Sequence, residues 1–230
     1  MTAHVSWRFP LRDPRSVPRP PYYPAIAVYD RVYRFLHGID QPQSQVGSAL
    51  RIELCRNSRV LRFTDGTIVQ RGKRVGVLHL NNDYMHTLHG VCPSPINVGM
   101  EFRRQFQASL RDLAHKIGEA ERFVGVNAFA ATTIFHQNLR RFGFETASDH
   151  LLCPMLVAFY QRALLACLHP EGSLRLHPAA YRRAERLWIS RRTLEELWGA
   201  RPGKRAGQSR RRPRSAAALS TAGSRKVVLP

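Results

Sequence analysis

Between His79 and His89 the chain gathers three imidazoles, one carboxylate and two amides, in the run HLNNDYMHTLH. Val75, Val77 and His79 fall on one face of a strand, so His79 stands where that strand ends. Asp83 and His86 are three residues apart and neighbours on the short helix that follows. The chemistry such a group could support is proton transfer: His79 as general base, Asp83 steering it, Asn82 donating to a developing oxyanion, and His86 contacting substrate. Asn82 and Asp83 are also ordinary capping residues, and turn chemistry alone accounts for these side-chain types. The spacing matches no recognised ligand signature, so neither a metal nor another cofactor is expected.

A second cluster is Asn127, Thr132, Thr133 and His136. An apolar strand at 123–126 followed by a helix would set these residues at the strand's carboxyl end, where open sheets bind ligands and helix N-termini favour anions. If the clusters meet across the sheet edge, His79, Asn82, Asp83, Asn127 and His136 line one pocket. A third feature is the tail run Arg210, Arg211, Arg212 and Arg214, suited to weak, salt-sensitive polyanion contact. Residues 200–230 hold no aromatic side chain, which removes base stacking there. The segment RRFGFE resembles the late part of an acetyltransferase-type fold. The nearest string to a pyrophosphate-binding (Q/R)-x-x-G-x-(G/A) turn, Arg122 to Asn127, lacks the final small residue.

The elements that must position these groups follow from periodicity. Ile26, Tyr29, Val32, Tyr33 and Leu36 recur at helical spacing, predicting an amphipathic helix that ends near Gly38. Ile52 and Leu54 alternate with Arg51 and Glu53 as in a half-buried strand. Asp65-Gly66 is a hairpin turn between RVLRF and TIVQ, and RVGVLHL continues an antiparallel meander of three or four strands. Asn82 or Asp83 caps DYMHTLHG. Phe102, Phe106, Leu110, Leu113 and Ile117 mark a longer helix ending at Gly118. FVGV at 123–126, the helix AATTIFHQNLRRFG and a strand at 142–146 form a parallel strand-helix-strand unit. Pro154 opens a helix to Leu168, and Ser190 caps RRTLEELWG after the strand RLWI. The fold class is α+β (mixed α/β), one sheet with helices packed on it.

The 230 residues suit one globular domain at 25–199, between a Pro/Arg-rich leader at 1–24 and a basic tail at 200–230. The net charge is +20, yet only Lys73, Lys116, Lys204 and Lys226 are lysines among 36 basic residues, so codon bias explains the excess as well as a polyanion partner does. Cys55, Cys92, Cys153 and Cys167 show no C-x-x-C spacing, which excludes a zinc knuckle or redox dithiol and fits reduced thiols. The N-terminal stretch lacks a secretory apolar region, and the most apolar segment, 151–168, falls short of a membrane span. A cytoplasmic protein without a transmembrane segment is expected.

In four stretches the chain resembles the YkoP-like domain: GTIVQRGKRVGVLHLNND, the amphipathic helix after it, FVGVNAFAATTIFHQNLRRFGFE and ERLWISRRTLEELWG. That resemblance implies a bacterial domain of unassigned activity, found alone or beside polysaccharide deacetylase domains. It points to an accessory or ligand-binding protein connected with cell-envelope polysaccharide or lipid metabolism, its ligand or protein partner unidentified. The deacetylase chemistry does not carry over, because the chain has no paired-Asp metal motif and no H-x-x-x-H pair. Two other classes stand beside it: a small acyl- or glycan-modifying enzyme using His79 and Asp83, and a basic protein that binds nucleic acid without specificity.

Overall fold

The structure, a computed structural model, describes residue 21 and residues 23–92, 94–147, 151–168 and 182–199. Most of the expected leader and the whole basic tail, with Arg210, Arg211, Arg212 and Arg214, lie outside the described residues.

Strands β1 (Gln45–Val46), β2 (Leu50–Arg56), β5 (Arg74–Leu80), β6 (Ala128–Thr133) and β7 (Glu185–Ser190) form one sheet in the order β1-β2-β5-β6-β7. β5 and β6 run parallel and the other pairs are antiparallel. Strands β3 (Leu61–Arg62) and β4 (Ile68–Val69) make a separate hairpin around Asp65-Gly66, so β2 pairs with β5 directly and the expected continuous meander is interrupted. Mixed strand directions with helices on the sheet make the class α+β.

Helices α2 (Asn82–Val91) and α3 (Pro95–Glu119) supply the crossover from β5 to β6. The α2 cap is Asn81, one residue earlier than expected, accepting from the Tyr84 N–H. The strand expected at 123–126 is instead a 3-10 turn through Phe123 and a bend at Gly125 with φ +77°. Positive φ interrupts an extended run, and pairing begins at Ala128. Residues read as the first turns of a helix, from Ala130 onward, are the strand itself, because Ala128, Phe129 and Ala130 are fully buried between two layers. Close packing there requires Gly76 opposite Phe129: a Cβ at Gly76 would sit 2.5 Å from the Phe129 ring and 2.8 Å from Ile52. The expected strand at 142–146 is reduced to one antiparallel bridge, Glu145 to Trp188. A short α4 (His136–Arg140) precedes it.

One sheet face carries Leu50, Ile52, Leu78, Phe129, Leu187 and Ile189 against α3 and α6 (Arg191–Trp198), with Ser190 capping α6 as its sequence predicts. The opposite face is apolar only at one end, where Val75, Ala128, Ala130 and Trp188 meet Leu61, Phe63 and Val69 of the hairpin. Its other end carries Arg51, Glu53, His79, Thr132 and Arg186, as the register requires. Helices α1 (Tyr23–Leu36) and α5 (Pro154–Leu168) pack together at this polar end, with the Tyr29 and Tyr160 rings 5.0 Å apart. Gln161 of α5 extends the hydrogen bonding of β6, accepting from the Ile134 N–H at 2.8 Å and donating to the Thr132 carbonyl at 2.7 Å.

The polar landing site turns α1 about its axis. Of its expected inward stripe, Tyr29, Val32 and Leu36 are 54%, 51% and 72% exposed. Tyr33 does face inward, and Asp30 and Arg34 join it there, while Val28 and Phe35 also face out. Among the described residues no helix is long and apolar enough to cross a membrane.

Candidate functional site

His79 sits at the end of β5 on the face that includes Val75 and Val77, as its spacing predicts. Its carboxylate partner is Glu53 of the adjacent β2: His79 Nε2 lies 3.1 Å from Glu53 Oε2. The other oxygen, Oε1, lies 2.8 Å from Nδ1 of His37, in the turn after α1. Tyr33 covers both rings, stacked on His37 at 4.2 Å and edge-on to His79 at 5.8 Å. Burial acts to raise the Glu53 pKa, but hydrogen bonds from His79 and His37 together with their charges outweigh it and hold the carboxyl below its ordinary range. The Tyr33 phenol is pushed up by burial and by the Glu53 charge.

Asp83 belongs to a second group above the first. It pairs with Arg34 at 3.0 Å and with Arg51 at 3.6 Å, and its side chain is 66% exposed. Arg34 also reaches Asp30 at 3.2 Å and Asp40 at 3.1 Å, and Arg51 reaches Asp40 at 3.2 Å. Asn82 donates to Asp30 Oδ1 at 3.0 Å, joining α2 to α1. Burial raises the Asp30 pKa against the lowering effect of Arg34, and raises that of Tyr160, whose hydroxyl donates to the same oxygen at 3.4 Å. The pairing expected between His79 and Asp83 is therefore replaced by two others: imidazole with Glu53, carboxylate with arginine.

The remaining candidates separate. Asn127 precedes β6, at the opposite end of the sheet from His79, and its carbonyl accepts from the Arg191 N–H at 2.8 Å. The parallel register of β5 and β6 sets His79 level with Thr132, five residues beyond Asn127, or ~16 Å along the strand. One pocket holding both is excluded by that separation. His136 opens α4 and lies 3.5 Å from Glu185 through Nε2. The His86 side chain lies outside what the structure describes, although its backbone is in α2.

Sequence reasoning missed Glu53, His37, Tyr33, Arg34 and Arg51. Glu53 and Arg51 were legible as the polar side of a strand, and the missing signal was that this side is covered. Among the described residues no three His, Cys, Asp or Glu side chains converge to hold a metal. A carboxylate that fixes an imidazole can serve acid-base chemistry, but both oxygens of Glu53 are occupied. Two cavities, of about 70 and 190 Å³, are lined by none of His37, Glu53 and His79.

A family model described as the YkoP domain matches residues 23–198. No curated protein and no solved structure matches the chain.

Proposed function

This chain belongs to the YkoP domain family, and from that premise we infer that it is a noncatalytic accessory module that docks on a protein partner through α1 and α5. The orientation of α1 carries this reading. A helix with its polar side turned inward and Val28, Val32 and Phe35 left outside has no cover for its apolar stripe among the described residues. Met155, Leu156 and Phe159 of the neighbouring α5 are also more than 60% exposed. Exposed apolar side chains grouped on two neighbouring helices mark an interaction surface.

A protein surface fits this face better than a bilayer. Interfacial helices flank their apolar face with several free basic residues, whereas α1 offers one, the exposed Arg31, and its Arg34 is consumed by Asp30, Asp40 and Asp83. Arg162, the one charged residue of α5, is half-buried and donates to the Ala158 carbonyl at 3.3 Å. The polar seam of His37, Glu53, His79 and Tyr33 then serves to mount α1 on the sheet. The resemblance to a domain found beside polysaccharide deacetylases supports a setting in envelope polysaccharide or lipid metabolism.

Nile red fluorescence with the full chain tests the docking face. The folded chain should enhance the dye, and Phe35→Glu with Phe159→Glu should abolish the enhancement while circular dichroism stays unchanged. No enhancement, or enhancement that survives both substitutions, overturns the reading. The His79–Glu53 pair favours one alternative, a small acyl- or glycan-modifying enzyme. Product release from acetylated glycan fragments or acyl-CoA, lost in His79→Ala, would establish that alternative in its place.

A further inference from the structure

The side of α1 that faces away from the sheet has the pattern of a coiled-coil seam. Ala25, Val28, Val32 and Phe35 follow alternating steps of three and four residues, all four are exposed, and Tyr29 and Leu36 flank them. Ile26, Asp30, Tyr33 and Arg34 make up the half-buried side. The Tyr29–Tyr160 ring contact sets α5 along the flank of this seam. There Met155, Leu156 and Phe159 are exposed, as is Leu152 just before the helix. An aromatic side chain presents ~150–250 Å² when free and an aliphatic one somewhat less, so the large apolar residues of the two helices, 51–90% exposed, offer together about 1,000 Å². A specific interface buries ~800 Å² on each partner. The face is therefore large enough for a stable dimer.

We propose that, granted α1 and α5 as a docking face, its occupant is a second copy of this chain, the two copies laying these helices against each other about a two-fold axis. Such a contact needs a surface that complements itself. Apolar seams at three- and four-residue spacing do so, each side chain entering a hole in the identical seam. A foreign partner is selected instead by charges set around an apolar centre. On these two helices the one exposed charged side chain is Arg31. Asp30 and Arg34 are half-buried and paired with each other, and Arg162 is half-buried against the Ala158 carbonyl. The face thus carries no charge pattern that would pick out a different protein. Arg31, beside the seam, is long enough to keep its guanidinium in water when the seam is covered.

The test is sedimentation of the full chain from ~1 to ~100 μM, the weak end of the range for an interface of this size, with Nile red fluorescence read on the same samples. The mass should rise from one chain to two and stop there, since a two-fold contact closes on itself. Dye enhancement per chain should be greatest in the dilute samples and fall as the dimer forms. Raising the salt from ~0.05 to ~0.5 M should strengthen the dimer, because the contact is apolar and the net charge of +20 drives the copies apart. Phe35→Glu and Phe159→Glu, at exposed side chains, should each weaken it roughly a hundredfold or more, since a symmetric contact carries every substitution twice. One chain mass throughout, with undiminished enhancement, overturns the second copy as occupant and leaves the face to a different protein. One chain mass with no enhancement at any concentration means that another stretch of this chain covers the face, and the docking reading falls with the proposal. A dimer that survives both substitutions, or that salt dissolves, forms elsewhere, such as at the arginine-rich tail, and also overturns the proposal.

Discussion

Glu53→Gln separates a carboxylate that mounts α1 from one that merely lies near two histidines. Glutamine keeps the shape and removes the charge. The His79 bond, between side chains that are each 18% exposed, should contribute ~1.5–3 kcal/mol as a hydrogen bond to a charged acceptor. The His37 bond, with that ring 38% exposed, should add only ~0.5 kcal/mol. The amide can still accept from one imidazole, recovering roughly 1 kcal/mol, so the net loss expected at neutral pH is about 1–2.5 kcal/mol. The sign of the pH dependence follows from the lowered Glu53 pKa. The carboxylate's contribution is complete above its ordinary value of 4.5 and is lost as the pH falls through the lower folded value. The variant has no such titration, so the stability gap should close as the pH falls below 4.5 and through the lowered folded value. Urea unfolding followed by circular dichroism, at neutral pH and at two acidic values, measures it. A gap below ~0.5 kcal/mol at neutral pH, or one that stays constant into acid, refutes the mounting role.

Three further outcomes are expected. Gly76→Ala should destabilise by ~1–3 kcal/mol in chemical unfolding, because the new Cβ meets Phe129 and Ile52 inside a filled core. Asp65 receives hydrogen bonds from Ser190, Thr193 and the Thr67 N–H. Burial opposes these bonds, yet they bring its carboxyl down to about 2. Solvent screening limits the corresponding stability to ~1 kcal/mol, so Asp65→Asn should lose that much at neutral pH and progressively less as the pH falls through about 2, as unfolding curves across that range would show. Asp83→Ala should cost under ~0.5 kcal/mol, since its ion pairs are exposed and Arg34 and Arg51 both retain Asp40. A large loss of stability or of any measured activity in that variant would return Asp83 to the centre of the site.

Local signals in the chain were enough for several elements. Asp65-Gly66 specified a hairpin, Ser190 specified the start of α6, and the Val75, Val77, His79 alternation put the histidine on the correct face. These depend on neighbours a few residues apart, where turn geometry and strand period act directly. The site depended on what covers that face. Glu53 lies 26 residues from His79 and 16 from His37, so their meeting is decided by β2 pairing with β5 and by α1 packing over the result. Apolar spacing alone mis-set α1, because it reports that a stripe exists and not which side faces the protein. The identity of β6 was settled in the same way. Ala128–Thr133 has weak strand composition, and burial between two layers, with Gly76 making room for Phe129, outweighs that local preference.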